Sequence, residues 1–289
     1  MSNQEKNKTE PSTLYLVATP IGNLADISER AKKVLSEVDF IAAEDTRNTL
    51  KLLNCYGISG ELVSYHEHNK RESGERIIAR LLAGECCALV TDAGMPAISD
   101  PGEDIVALAA DNGVRVAIVP GACAAVSALA LSGLGTRRFA FEGFLSAKAQ
   151  ERRASLERVA HDDRTLIFYE APHKLRATLR DMSEIFGSTR KISLARELTK
   201  LNEEVQRMTL GEAVSFYEAN DPRGEYVLVI EGGDGVFAPD NRATLCSLSP
   251  EEHVAHYEGE GLGRMDAIKA AAKDRGMSKS ELYKILNAN

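Results

Sequence analysis

Three short stretches of this chain gather Gly, Pro and Ala at unusual density. They are Ala18-Thr19-Pro20-Ile21-Gly22-Asn23-Leu24, the run TDAGMPAISDPG from Thr91 to Gly102, and Pro120-Gly121-Ala122-Cys123-Ala124-Ala125. Loops of this composition let a ligand touch backbone N–H and C=O groups directly, which suits an adenosine or amino-acid moiety. Each alone reads as a tight turn; all three at one sheet edge favour a ligand cleft. None is a GxGxxG followed by an acid at ribose distance, and no GxxxxGK[ST] occurs, so Rossmann dinucleotide binding and P-loop chemistry are set aside.

Other side chains compete for a role. Asp45 and Arg47, in Glu44-Asp45-Thr46-Arg47, follow an apolar strand and read equally as a pair at a cleft mouth or as a helix-capping surface salt bridge. In His66-Glu67-His68-Asn69 the HxH pair lacks a third ligand, so no metal site is expected, only a polar loop facing substrate or solvent. Glu170 follows a strand of buried character, with His173 or Lys174 as a possible fixed partner, and Arg196, Glu197 and Lys200 follow another strand end. Lys148, Arg152, Arg153 and Arg158 recur at helical spacing, as a solvated face or one that tracks phosphates. No base is placed beside Cys123 by motif, so it reads as a small lining residue.

The elements that must carry these residues alternate regularly. Apolar runs at Leu14–Val17, Phe40–Ala43, Leu62–Ser64, Cys87–Val90 and Val116–Val119 are separated by amphipathic stretches. Strands so short and uniformly apolar predict a mostly parallel sheet covered by helices. The pattern restarts with strands at Phe139–Phe141, Thr165–Tyr169, Lys191–Ala195, Glu203–Thr209 and Tyr226–Glu231, whose spacing predicts a mixed sheet. Met265–Asn289, cut once at Arg275-Gly276-Met277 and restarted by the N-cap Ser278, predicts a helix-turn-helix or a helical hairpin. The expected organisation is therefore a polar tail (1–12), two α/β domains (13–130 and 131–236), a linker (237–263) and a helical segment (264–289).

With 289 residues, 44% hydrophobic and 27% charged, the chain has apolar material for two ordinary cores, and disorder and fibrous repeats are excluded. A net charge of −8 hides an asymmetry: Arg137–Lys200 holds 14 basic against 9 acidic residues, and Arg264–Asn289 holds 6 against 3. A basic subset on an acidic protein attracts phosphate locally. Five cysteines without CxxC or metal spacing point to a reducing compartment. The uncharged run Val116–Gly135 is broken by Pro120-Gly121, so a strand, turn and buried helix are expected there and no membrane span. The polar N-terminus has no signal-peptide core; a cytoplasmic location is expected.

In order, the chain carries VATPIGNL, AAEDTR, TDAGMPAISDPG, PGACAA with the following ALALSGL, EGFL, FYEAPHK and ARELTK. This set resembles the tetrapyrrole-methylase superfamily, the class III S-adenosylmethionine-dependent methyltransferases, over about residues 14–235. Within it, the set is most similar to the branch that methylates ribose 2′-hydroxyls of small-subunit ribosomal RNA, whose C-terminal helices the last segment also matches. The resemblance implies an α/β fold of two α/β domains with the cofactor cleft between them, plus a small C-terminal helix-turn-helix segment, as a homodimer. It places S-adenosylmethionine against Pro20, Asp92, Ala93, Gly94, Ile98, Cys123, Ala124, Tyr169 and Glu170. Arg47, Asn69, Arg196 and Lys200 are expected on the substrate side, with Asp45, Glu170 and Lys200 as candidate catalytic groups.

The implied reaction is 2′-O-methylation of a decoding-centre cytidine in 16S ribosomal RNA of the small ribosomal subunit, without a metal. The tetrapyrrole-modifying members usually carry Gly-Asp-Pro in the long loop. Here it is Asp92-Ala93-Gly94-Met95-Pro96, which argues against a porphyrin or corrin acceptor. The alternatives are a precorrin-type C-methyltransferase, which needs no basic stripe, and a non-enzymatic nucleic-acid-binding protein, which needs no Gly/Pro-rich strand ends.

Overall fold

A computed structural model describes residues 8–235, 242–259 and 261–287. Its first sheet is built from β1 (Thr13–Val17), β2 (Phe40–Ala43), β3 (Glu61–Ser64), β4 (Cys87–Val90) and β5 (Arg115–Val119), in the order β3-β2-β4-β1-β5. Every pairing in it is parallel. The crossovers are α1 (Glu29–Glu37), α2 (Thr46–Cys55), α3 (Lys70–Leu82) and α4 (Gly102–Asp111). They cover both faces and produce two apolar layers. Val17, Ile41, Ala88 and Val90 pack against Val34, Leu35 and Leu53 on one side; Leu14, Phe40, Cys87 and Leu89 pack against Ile77, Leu81 and Ile105 on the other. Burial on both faces is why the strands lack polar alternation.

The second sheet contains β6 (Phe139–Phe144), β7 (Thr165–Glu170), β8 (Lys191–Arg196), β9 (Glu204–Thr209) and β10 (Tyr226–Ile230), in the order β6-β7-β10-β8-β9. It is mixed: β6 runs parallel to β7, while β10 is antiparallel to β7 and β8, and β8 to β9. Helices α6 (Ala149–Val159), α7 (Pro172–Phe186) and α8 (Leu210–Ala219) connect it, and Leu156, Leu175, Leu179, Met182, Leu210 and Ala213 fill its outer core.

Its inner face is covered by α5 (Ala124–Ser132), the helix that leaves the first sheet. Ala125, Ala128 and Leu129 pack on Ile167, Ala195, Val227 and Val229. A division at 130/131 would thus cut a helix that already belongs, by packing, to the second sheet. Its sequence is nearly all apolar, so one face packs on the second sheet while Val126 and Leu131 on the other stay exposed.

Two further expectations change. Residues 1–7 of the expected tail lie outside the described residues, but Glu10 N donates to Tyr15 Oη (2.8 Å) and Ser12 N to Glu85 O (3.0 Å), so its last part is pinned. The expected linker holds two helices, α9 (Arg242–Ser247) and α10 (Pro250–Gly259); residues 236–241 and 260 lie outside the described ones. With α11 (Arg264–Asp274) and α12 (Lys279–Leu286) they form a separate compact unit over Val236–Asn289. Val254 of α10 joins Ala267, Ile268, Ala271, Ala272 and Leu282 in its core, which two helices alone would leave open to water. Arg275, counted above among the basic residues, donates through Nε to the buried His253 Nδ1 at 3.1 Å and also bonds Leu248 O.

Candidate active site

The carboxyl ends of β1, β4 and β5 are tied by their loops. Thr19 N donates to Gly94 O (2.9 Å) and Gly94 N returns to Thr19 O (3.1 Å), an isolated bridge between the first and the long loop. Ala18 N donates to Val119 O at 3.2 Å, and a Cβ on Gly121 would lie 2.8 Å from that of Ala18. Only Gly permits so close a crossing of β1 and β5 exits. Gly94 has φ +89°, and a side chain there would meet Ile21 Cγ2 at 3.2 Å and Ala122 O at 3.5 Å.

These ends face the corresponding end of the second sheet across a cleft of about 260 Å³. From the second sheet come Tyr169 and Glu170 at the end of β7, Tyr226 and Val227 of β10, and the β8–β9 turn with Glu197, Leu198 and Lys200. Asn23 N donates to Thr199 Oγ1 at 3.0 Å, joining the two loop sets. Of the five non-glycine residues with positive φ among those described, four lie in the two loops that line this cleft: Ala97 (67°), Ser99 (63°), Glu197 (50°) and Thr199 (65°). Such conformations cost about 1–3 kcal/mol each and cluster where geometry serves a ligand.

Eight of the expected site residues come together here: Ala93, Gly94, Ile98, Cys123, Ala124, Tyr169, Glu170 and Lys200. Tyr169 Oη accepts from Ala125 N (3.1 Å), fixing the start of α5, and burial pushes its hydroxyl up to about 12. Lys200 Nζ pairs with Glu197 Oε1 at 3.0 Å; this contact holds the Glu197 carboxyl below its ordinary range. Glu170 is fully buried and already committed. It accepts from Thr178 Oγ1 (2.5 Å) and Ala171 N (2.9 Å) and pairs with Lys174 Nζ (3.0 Å). Three fixed partners thus already occupy its carboxylate.

The remaining residues fall elsewhere. Pro20 and Asp92 belong to the right loops but do not line the cleft, and Asp92 Oδ2 accepts from Asn48 Nδ2 at 3.2 Å. Asp45 is the N-cap of α2: its Oδ1 accepts from Arg47 N (2.8 Å) and its side chain pairs with the Arg47 guanidinium at 3.3 Å. Those bonds hold its carboxyl below the usual range, which suits a cap and not a base. Asn69 is spent on its own loop, accepting from His66 N (2.8 Å) and donating to Ser64 O (3.2 Å).

Arg196 lines a different cavity of about 380 Å³, paired to Glu204 Oε2 at 2.6 Å. Period-two alternation along β8 places it on the face opposite Ala195, a cleft-lining residue. Of the basic stripe at α6, two residues are tied up internally, while Lys148, paired to Glu151 at 2.8 Å, and Arg158 stay exposed. Arg152 is buried and bonds Asp181 Oδ2 at 2.7 Å, and Arg153 bonds Asp181 Oδ1 (2.8 Å) and Glu184 Oε2 (2.6 Å).

Sequence reading passed over several cleft residues. Glu44, not its neighbour Asp45, lines the cleft, with its Oε2 accepting from Thr91 Oγ1 at 3.1 Å. Ile21, Asp100, Phe144 and Glu225 were also missed as lining residues, while Glu197, named beside Arg196 and Lys200, does line the cleft. The signal for Glu44 was available: the residue immediately past a buried strand reaches over the sheet edge, and the next one caps the helix. Among the described residues no group of three His, Cys, Asp or Glu could hold a metal ion. No helix there is long and apolar enough to cross a membrane.

The family of Tetrapyrrole (Corrin/Porphyrin) Methylases matches residues 13–214, which take in the whole first sheet and every strand of the second except β10. The chain belongs to this family. It is a methyltransferase. A ribosomal RNA small subunit methyltransferase I of Halalkalibacterium halodurans is 50% identical over 280 residues, covering 97% of this chain and 96% of its own. One from Bacillus subtilis is 47% identical over 276 residues, covering 96% and 94%. The Thermus thermophilus uroporphyrin-III C-methyltransferase solved with S-adenyl homocysteine superposes with a TM-score of 0.54 at 17% identity, over 75% of this chain and 96% of that one. That likeness establishes the methylase fold.

Proposed function

We propose that this methylase transfers the methyl group of S-adenosylmethionine to the ribose 2′-hydroxyl of a decoding-centre cytidine in 16S ribosomal RNA, acting on the small ribosomal subunit. The observation that carries this reading is identity of about half over nearly the whole chain to relatives named for that subunit. It extends past the family's 13–214 match into the C-terminal helical unit.

The cleft suits the cofactor chemically. The left-handed backbone at Gly94 opens the long loop, and Ile21, Ile98, Leu198 and Val227 give apolar surface for a purine. Glu44, Glu197 and Glu225 set a negative field around a sulfonium and an ammonium group. When bound, S-adenosylmethionine supplies a sulfonium-activated methyl group. This chain's own residues then align and desolvate. Tyr169 fixes the start of α5, and the paired loops hold two reactants in line, which removes several kcal/mol of the barrier. Phe144, exposed at the cleft edge and 5.3 Å from the Tyr169 ring, offers a face on which an extruded base can stack. Lys200 supplies the cation for a neighbouring phosphate.

We read the working form as a cytoplasmic homodimer. Ile118 on the edge strand β5 and Val126 on α5, both about half exposed, support a self-association surface. The test of the reaction is incubation with labelled S-adenosylmethionine and undermethylated small subunits, followed by mass spectrometry of nuclease fragments. The expected product is one methyl on a single cytidine ribose. A methyl on a base, or on a tetrapyrrole in place of RNA, overturns the reading.

A further inference from the structure

Among the carboxylates of the cleft, Asp100 has unfinished bonding. Its Oδ1 accepts from Ala97 N at 2.9 Å and Gly102 N at 2.7 Å, closing the turn that leads into α4. Its Oδ2 is buried without a hydrogen-bond partner, although the residue lines the cleft. Leaving a buried acceptor unpaired is destabilising, and the cost disappears if a bound ligand brings the donor. The turn alone does not account for this atom, because an amide at the same position would accept both N–H groups equally well. The backbone is also shaped around the carboxylate. Ala97 and Ser99 hold left-handed conformations beside it, and a Cβ on Gly102 would lie 2.7 Å from Asp100 Oδ1.

We propose that Asp100 is the catalytic base of the methyl transfer, its Oδ2 accepting the proton of the attacking ribose hydroxyl; this rests on the ribose-methylation reading above. A lone pair of the 2′-oxygen forms the new O–C bond while the O–H bond breaks and its proton passes to Oδ2. The electrons of the breaking C–S bond stay on the sulfur of the methyl donor, which becomes a neutral thioether. A sulfonium and a carboxylate thus become two neutral groups, and the acid afterwards returns its proton to water. Burial raises the Asp100 carboxyl above its ordinary range against the opposing backbone N–H groups of Gly102, Ala97 and Ile98. A more basic carboxylate is a better acceptor. The ionisable groups on the elements packed nearby are Tyr65, which donates to Pro101 O at 2.9 Å, and Lys70, held by Asp104 and Glu67. Across the cleft stand Glu44, Glu170 with Lys174, and Glu197 and Glu225 with Lys200.

The test is Asp100→Asn, which keeps the Oδ1 acceptor and the turn but removes the proton acceptor. The expected result is a kcat on undermethylated small subunits reduced about 10²–10⁴-fold. Affinities for S-adenosylhomocysteine, by calorimetry, and for the subunit, by filter binding, stay unchanged. In the wild type, kcat rises with pH through the elevated Asp100 value, and in the variant that acid limb is absent. Near-wild-type kcat in the folded variant overturns the proposal. So does lost S-adenosylhomocysteine affinity with a normal single-turnover rate at saturating cofactor, which would place the missing donor on the cofactor. If the variant does not fold, the wild-type profile still decides, since a kcat without an acid limb overturns the assignment. A wild-type enzyme that leaves the cytidine ribose unmethylated removes the ribose reading first, and the Asp100 role with it.

Discussion

At the scale of single residues, the cleft depends on positions where backbone geometry leaves little choice. Gly94→Val would force a β-branched side chain into φ +89° and against Ile21 and the Ala122 carbonyl. The strain of about 1–3 kcal/mol falls on the bridge to Thr19, so cofactor affinity should drop roughly tenfold or more. Calorimetry with circular dichroism as the folding control checks this; unchanged affinity in a folded variant would remove the cofactor from that loop. Arg152 belongs to another class, a buried cation paired with Asp181. Arg152→Met should leave the Asp181 carboxylate to Arg153 alone, cost about 2–3 kcal/mol and lower Tm by about 5 °C. Small-subunit affinity should barely change, whereas a phosphate-tracking arginine would show the opposite pattern. These two residues also mark how far single positions were legible. Gly94 stood out because a Gly/Pro-rich loop after a buried strand has few uses. Arg152 did not, because helical spacing shows which basic residues share a face and not whether acids of α7 wait opposite it. Asp45 and Glu44 show a related limit: a one-residue offset decides whether a carboxylate overhangs the sheet or caps the helix beside it.

At the scale of elements, almost every strand and helix of the two sheets was readable from apolar runs and turn residues, and β2 and β4 agree to the residue. Their partners were less so. The parallel first sheet follows from uniformly apolar strands needing cover on both faces, and the mixed second sheet from its shorter connections. What sequence could not reveal is that α5 leaves one sheet to lie on the other, because an all-apolar helix carries no direction in its pattern. The two helices inside the expected linker escaped for the reverse reason. Arg242–Ser247 and Pro250–Gly259 are short and polar, and the second is held by Val254 and His253 buried within the C-terminal unit.

At the scale of the whole molecule, the division after Gly235 separates a unit holding the entire cleft from one with its own small core. Truncation after Gly235 should leave S-adenosylmethionine affinity intact while weakening small-subunit binding and flattening its salt dependence, since Lys269, Lys273, Lys279 and Lys284 leave with the helices. Calorimetry and filter binding across a salt series test this. Unchanged particle affinity, with a lower melting temperature, would make the helices a structural support instead. The topology of the two sheets also bears on how the chain acquires its structure. No strand of the first sheet can pair before a crossover has closed, because all its ladders are parallel. The sole strand pair adjacent in both sequence and space that runs antiparallel, among the described residues, is β8 with β9, joined by the strained turn that later carries Lys200. Hairpins form in roughly 1–10 μs, ahead of distant contacts whose loop-closure entropy must be met first. In pulse-labelled refolding, the amides of 191–196 and 204–209 should therefore gain protection before those of β1 and β4. One wall of the cleft would then exist before the pocket it closes.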